Sequence, residues 1–308
     1  MPGRYRGHDS RDNLFYTASG EVVYSSAGVG IVYNRKTHTQ RFFLDHTDDI
    51  ICVALHPDGT VAATGEIGKC CLVCVWDIEN LKCHAKLEGF HTRGVCSLAF
   101  SKDGDKLFSV GLDDDHSIAC WDWKKGAKIA DSKGDKSLII AIKVSPYDDT
   151  IVTVGVKHIK FWVIFGKGLR ASKGSVGKKG KVQTHLSIEF GGPNVTLTGT
   201  SDGSIYAWKG NQLFKVVQAH EGPVFDLNSY DTSILSGGKD GTPARWRAAF
   251  NKAGLWSEVG IWLAGSIKIW DSQLNEVQAI DLNRAVKGAC ELLTGIPSPS
   301  DGDCGQSL

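Results

Sequence analysis

The chain of 308 residues carries 35 basic and 34 acidic side chains, so any attraction to an acidic partner must come from a local patch and not from the summed field. No apolar run approaches the ~20 residues that cross a bilayer, and the opening MPGRYRGHDS has no apolar signal segment, which predicts a soluble intracellular protein with no membrane partner. Nine cysteines, an odd number, lie inside apolar runs such as ICVAL and VCSLAF, the usage of a reducing compartment in which Cys serves as a small hydrophobe.

Taken from the N-terminus, EVVYSSA and GIVYNRK alternate like strands and QRFFLDH fits an outer strand, so residues 1–46 are expected to supply most of one antiparallel sheet. His8-Asp9-Ser10 and His46-Thr47-Asp48-Asp49 have the residue types of acid/base or metal sites. Each stands where a strand must begin, and nothing else in the sequence pairs with it, so structural hydrogen bonding is the expectation. In KCCLVCVWD, Cys71 and Cys74 have C-x-x-C spacing, but a strand with a period of two sends them to opposite faces, where they cannot share an ion.

A repeat then takes over the chain. VCVWD ends at Asp77, IACWD at Asp122, IKFW at Trp162, IYAW at Trp208 and IKIWD at Asp271, so the tryptophans at 76, 121, 162, 208 and 270 are spaced by 45, 41, 46 and 62 residues. Upstream of each stands an alternating strand (ICVALHPDG, VCSLAFSKDG, IAIKVSPYDD) and a second strand ending near glycine (VAATG, LFSVG, IVTVG, TLTGT, ILSGG). Short β-branched runs bounded by Asp-Gly and Pro-Asp turns are antiparallel strands, four to a unit once the segment after Trp is included. Units of about 40 to 45 residues with a terminal Trp-Asp resemble WD40 blades.

The expected units run about 47–90, 91–134, 135–181, 182–219 and 220–283, followed by an irregular tail over 284–308. With the opening motif this gives an all-β WD40 β-propeller of about six recognisable blades, incomplete relative to a seven-bladed ring and expected to be a truncated form of a longer protein.

Resemblance to WD40 blades implies a hydrogen-bonded set of His, Ser or Thr, Asp and Trp. His220, Ser236, Asp240 and Trp270 match it in the last unit, and Thr198, Asp202 and Trp208 match three members in the unit before. His46, Thr64 and Trp76 stand without a clear Asp; His91 and Trp121 mark the next unit, and the unit over 135–181 keeps little beyond Trp162. A catalytic triad is not read from such a set, since its residue types gain that meaning only from cleft geometry.

Ahead of the first complete unit come Tyr5-Arg6-Gly7-His8-Asp9, Arg11-Asp12-Asn13, Gly20-Glu21-Val22-Val23-Tyr24 and Val32-Tyr33-Asn34. Together with HPDG, GVKHIKFW and YAWKG further on, this opening resembles the HELP motif and first propeller of the echinoderm microtubule-associated protein-like (EML) family. The resemblance implies a non-enzymatic scaffold in the cytoplasm and on the cytoskeleton that binds tubulin or microtubules through a propeller surface, influencing microtubule assembly or organisation, with no cofactor, metal or small-molecule substrate. The rival reading is a WD40 module for another acidic protein partner, or a truncated form without microtubule binding. The coiled coil by which some members oligomerise is absent, so trimerisation is not implied.

Two stretches stand out. GKGLRASKGSVGKKGK, residues 166–181, holds Lys167, Arg170, Lys173, Lys178, Lys179 and Lys181 with no acid, and is read as a mobile basic loop that could meet an acidic partner surface. It fits no phosphate-binding register, because the position that needs glycine is Lys179, and without aromatic residues among its charges it favours protein over nucleic acid.

In the last unit, removing the 24 positions 242–265 turns the interval of 62 into 38 and joins GGKDG to SIKIWD. The alternative third strand is TPARW, whose Trp246 lies as far from Asp240 as Trp208 does from Asp202. Burying Ile267 and Ile269 is worth roughly 3 to 6 kcal/mol, and enlarging a loop from ~4 to ~28 residues costs about 1.7 kcal/mol. The expectation is therefore that SIKIW takes the strand and 242–265 is extruded, with Trp246, Ala249, Phe250 and Ala253 forming a helical stripe capped at Thr242-Pro243.

Overall fold

The structure is a computed structural model that describes residues 13–69, 71–230, 233–241, 243–247, 259–263, 266–270 and 276–281; over 259–281 the description is of strands and their pairing. Tyr5, Arg6, Gly7, His8, Asp9 and Arg11 of the opening motif, and Ala249, Phe250 and Ala253 of the expected stripe, lie outside the described residues. Among the described residues every regular element is a strand.

Six antiparallel sheets follow one another along residues 14–247. The first is Leu14–Tyr16 (β1), Val22–Ser26 (β2), Val29–Asn34 (β3) and Thr39–Phe43 (β4). The second is Ile50–Leu55 (β5), Val61–Glu66 (β6), Val73–Asp77 (β7) and Cys83–Leu87 (β8). The third is Val95–Phe100 (β9), Lys106–Gly111 (β10), Ile118–Asp122 (β11) and Ala127–Ser132 (β12). Ile139–Val144 (β13), Ile151–Gly155 (β14), His158–Phe165 (β15) and Gly168–Lys173 (β16) make the fourth. His185–Gly192 (β17), Val195–Thr200 (β18), Ser204–Lys209 (β19) and Gln212–Gln218 (β20) make the fifth. The sixth has Val224–Tyr230 (β21), Ser233–Gly238 (β22) and Pro243–Arg247 (β23). In each, strands pair in sequence order, as hairpins with short turns must. The innermost strands β5, β9, β13, β17 and β21 adjoin one another from sheet to sheet, so the sheets are the blades of a propeller.

The apolar core is not at the centre; it lies in separate layers between neighbouring blades. Alternation along the third strand of each blade decides which layer a residue joins. Trp76 packs with Val23, Val32 and Phe43 of the first blade, whereas Val75, one residue earlier, packs with Val95 and Leu107 of the third. Trp121, Trp162, Trp208 and Trp246 likewise face the preceding blade. The opening motif is part of this scheme: Phe43 stacks on Trp76 with centroids 4.7 Å apart, and a Cβ on Gly30 would sit 3.0 Å from that indole. Tyr24 is buried, the Tyr33 hydroxyl meets His38 Nδ1 at 2.8 Å, and Asn34 Oδ1 accepts from the backbone of Lys36 and Thr37 to form the turn into β4.

The glycine at or next to the end of the second strand in blades two to six has a steric cause. A Cβ on Gly111 would lie 2.4 Å from His91 Nδ1, and one on Gly199 would lie 2.7 Å from Val224 Cγ1 of the next blade. Cysteines do more than fill space: the Cys52 thiol points to Val95 O at 3.0 Å and that of Cys96 to Ile139 O at 3.5 Å, each reaching the innermost strand of the following blade. Burial pushes both thiols up, that of Cys96 to about 12. Cys71 and Cys74 belong to different interblade layers.

The last expected unit departs from the sequence reading. β23 pairs with β22, Gly237 opposite Pro243 and Ile234 opposite Trp246, so Pro243–Arg247, which holds the PARW of the alternative strand, and not SIKIW is the third strand. Residues 243–247 are therefore in the sheet and are neither extruded nor helical. Ser266–Trp270 (β25) is paired instead between Val259–Leu263 (β24) and Glu276–Asp281 (β26), so 220–283 holds two three-stranded sheets where one blade was expected.

Three physical reasons account for this. TPARW is reached through a tight turn at Gly241, with φ of 75°, and needs no long loop. Pro243 is the first residue of its strand, where a missing donor is tolerated. SIKIW is paired on both edges elsewhere, so it does not forgo a ladder by leaving β22 to TPARW.

Candidate functional site

Two sets of side chains were candidates for function, and the structure gives them different characters. In the first set, the indole of each third-strand Trp donates to a second-strand hydroxyl. The distances are 3.1 Å for Trp76 to Thr64, 2.8 Å for Trp121 to Ser109, 2.8 Å for Trp162 to Thr153, 3.0 Å for Trp208 to Thr198 and 2.9 Å for Trp246 to Ser236. The partner of Ser236 is thus Trp246 and not Trp270, because β23 occupies the position expected for SIKIW.

A histidine closes on the same hydroxyl from the loop entering the blade. His46 Nε2 lies 2.6 Å from Thr64, His91 Nε2 2.7 Å from Ser109 and His220 Nε2 2.7 Å from Ser236. In His220, Nδ1 lies 3.0 Å from Asp240, so a neutral ring that donates there accepts the Ser236 hydroxyl proton at Nε2.

Several members escaped the sequence reading. Glu66 supplies the carboxylate for His46, at 2.9 Å, and also accepts from Thr47 N–H and Oγ1 at 2.9 Å each. It follows Thr64 by two residues on the strand itself, whereas Asp240 follows Ser236 by four in a loop, so a fixed spacing could not find it. Ser109 with Asp113, at the ordinary spacing of four, was findable; Asp113 accepts from Ser117 and lies 3.6 Å from His91 Nδ1. His185 Nδ1 meets Thr198 at 2.9 Å and completes the fifth blade, but Asp202 is held by Thr200 and the backbone of Ser204. His46, Thr47 and Asp48 thus gather on Glu66, with the Asp48 N–H at 3.4 Å.

Burial lowers the pKa of His91 and of His185, each to about 4, and lowers that of His46 against the opposing pull of Glu66. Burial also pushes the Glu66 carboxyl up, but bonds from Thr47 N–H, His46 and Thr47 Oγ1 outweigh it and hold the group below its ordinary range. The histidine side chains are buried, bonded to hydroxyls of the second strands and repeated in several blades, an arrangement that ties strands together. Among the described residues no group of three His, Cys, Asp or Glu side chains could hold a metal ion.

The second set is the basic stretch over 166–181, which is not a mobile loop throughout. Gly168–Lys173 is β16, the outer strand of the fourth blade, with Arg170 opposite Val163 and Lys173 opposite Lys160. The rest crosses toward the fifth blade and is fastened there: Ser175 N–H donates to Asn211 O at 2.8 Å, Leu213 N–H to Ser175 O at 2.9 Å and Lys181 N–H to the Tyr206 hydroxyl at 3.2 Å. Val176 packs against the layer between the two blades.

Anchored through its backbone, the stretch leaves Lys167, Arg170, Lys173, Lys178, Lys179 and Lys181 all exposed, and among the described residues none of them is held in an ion pair. Beside them Phe165 is 73 % exposed and Val182 64 %, so the surface is both basic and apolar. Free cations fixed on a rigid edge can bind carboxylates without first breaking internal pairs.

Six radial sheets, five of them with a tryptophan bonded to a second-strand hydroxyl and four of those with a histidine on the same hydroxyl, define a WD40-type β-propeller. The fold is shared with the computationally designed Ika8 protein, at a TM-score of 0.64 and 22 % identity over 90 % of this chain and 89 % of that one. A Myceliophteria thermophila Cps50 (Swd1) β-propeller domain also scores 0.64, at 15 % identity over 75 % and 86 %. Within that class the chain belongs to the echinoderm microtubule-associated protein family. Residues 39–261 match the family's first β-propeller and residues 4–31 match the HELP motif.

The 77 kDa echinoderm microtubule-associated protein of Lytechinus variegatus is 38 % identical over 265 residues, which cover 81 % of this chain and 40 % of that protein. Echinoderm microtubule-associated protein-like 2 of Mus musculus is 36 % identical over 80 % of this chain and 41 % of its own length. For the human echinoderm microtubule-associated protein-like 1 the figures are 36 %, 80 % and 32 %. The chain therefore spans well under half of these relatives.

Proposed function

We propose that this protein is a non-enzymatic scaffold of the cytoplasm and cytoskeleton that binds tubulin or microtubules through its propeller and influences their assembly or organisation. The observation that carries the reading is the exposed, unpaired basic set on the outer edge of the fourth and fifth blades, in a chain whose relatives are named for microtubule association. A near-neutral molecule with such a patch is steered to an acidic surface at short range and loses that attraction as salt is added. The enclosed histidine networks lend no support to an enzymatic role, and no cofactor or small-molecule substrate is invoked.

Co-sedimentation with stabilised microtubules at low and moderate salt tests the proposal, alongside a variant in which Lys167, Arg170, Lys173, Lys178, Lys179 and Lys181 are all changed to Gln. The wild-type protein is expected to pellet at low salt and the variant to remain in solution. A wild-type chain that stays in the supernatant at low salt would refute the microtubule reading and favour a WD40 module for a different acidic protein. Pelleting that survives the six changes would move the contact elsewhere on the propeller.

A further inference from the structure

Between the fourth and fifth blades a groove of about 460 Å³ opens beside the turns Ser145–Thr150 and Lys209–Gln212. Its blade-four wall is formed by Phe161 and Val163 on β15 with Ser172 and Arg170 directly opposite them on β16, and its blade-five wall includes Asn194 and Val195, so apolar and polar groups lie side by side. Val163 is 47 % exposed although it lies in a blade strand, and Arg170, opposite it on β16, has no ion-pair partner among the described residues. Asp148 is the one acid on the wall, and it already accepts from Thr150 N–H at 2.9 Å. A site with an unengaged guanidinium, a free hydroxyl, a free amide and an apolar strip is complementary to a carboxylate, a backbone amide and an apolar side chain on one extended strand.

We propose that this groove is the docking site for an extended acidic peptide segment of a partner protein, with a carboxylate on Arg170 and an apolar side chain against Val163 and Val195. The inference rests on the acidic-partner reading above and adds a defined pocket to a diffuse charge patch. The probe is an N-terminally labelled peptide Gly-Glu-Glu-Phe-Glu-Glu-Gly, followed by fluorescence anisotropy. Its controls carry Gln for every Glu or Ala for the Phe.

Four proteins are compared: wild type, Arg170→Gln, Ser172→Phe, which fills the groove and leaves every charge in place, and the double change Lys178→Gln with Lys179→Gln, which removes two charges outside it. Arg170→Gln and Ser172→Phe are each expected to weaken binding about tenfold, the equivalent of about 1.4 kcal/mol. The double change is expected to alter binding less than threefold, and both control peptides to bind at least tenfold more weakly. Circular dichroism melting confirms that each variant is folded.

Equal weakening by the double change and by Ser172→Phe would reduce the effect to charge alone and overturn the groove. Displacement of the peptide by an oligothymidylate of equal charge, abolished by Ser172→Phe, would assign the groove to nucleic acid and also overturn the proposal. The same four proteins are carried through microtubule co-sedimentation, so that a peptide effect without pelleting sinks the microtubule reading alone, and pelleting without a peptide effect sinks the groove alone.

Discussion

The two rival third strands of the last expected unit make opposite predictions at two tryptophans. Trp246 is 3 % exposed, packs with Leu197, Ala207, Val224 and Leu227, and donates to Ser236. Truncating such a residue to alanine costs about 3 to 5 kcal/mol from lost burial and the cavity left behind. Ser236 keeps its bond to His220, so the loss is chiefly that of the ring.

Because β22 lies between β21 and β23, the amides of Ser233–Gly238 report the event directly. Their protection is expected to fall by about two to three and a half decades in Trp246→Ala, which is that energy expressed as an opening constant. Trp246→Phe retains most of the ring and loses the N–H bond, for about 1 kcal/mol and less than one decade. Trp270→Ala is expected to leave protection of Ser233–Gly238 unchanged. Hydrogen exchange read by mass spectrometry on the three variants decides the matter. Lost protection of Ser233–Gly238 in Trp270→Ala, with none lost in Trp246→Ala, would show that SIKIW occupies the strand and that the assignment of β23 is wrong.

Further expectations concern the buried polar set. Glu66→Ala leaves the Thr47 N–H and the His46 ring without their acceptor in a buried site, and is expected to cost about 3 kcal/mol in urea denaturation; a loss below 1 kcal/mol would show that water replaces the carboxylate. His91 and His185 have folded-state pKa values of about 4 against an ordinary 6.5. Between these pH values the unfolded chain binds the extra protons. Stability is therefore complete above about pH 6.5 and falls toward pH 4, by on the order of 3 kcal/mol for each ring. A melting temperature flat over that window would contradict neutral, buried rings. Gly111→Ala drives a methyl into His91 and is expected to lower the melting temperature by several degrees, whereas Gly126→Ala meets no atom within 4 Å and is limited by its φ of 66° to a smaller loss of about 1 kcal/mol.

Much of the architecture was legible because it is written in two periodicities: alternation within strands, and a third-strand Trp every 38 to 46 residues, at 76, 121, 162, 208 and 246. Those features fix blade class and the layer each residue joins. Residues whose partners come from elsewhere in space were harder to read. Glu66 performs the expected carboxylate role from an unexpected register, and the partner of Ser236 depended on which of two similar strands lay closer along the chain. SIKIW does not need β22 to be paired, because Val259–Leu263 and Glu276–Asp281 flank it, and such neighbours cannot be seen in a comparison of two strands alone. The basic stretch was visible as composition, but its backbone anchoring to Asn211, Leu213 and Tyr206, which sets its charges on a fixed edge, required the fold.

The division of the core into layers between blades gives the molecule the statistical mechanics of nearest neighbours. Each layer is shared by two consecutive units, so a unit's occupancy of its native state is conditional on its neighbour, and the free energy is a sum of couplings along the sequence. The Phe43–Trp76 stack couples the opening motif to the second blade in the same way as Trp162 couples the fourth to the third. A defect in one layer therefore weakens both of the blades that share it, so a loss around Trp246 is felt in the fifth sheet as well as in the sixth.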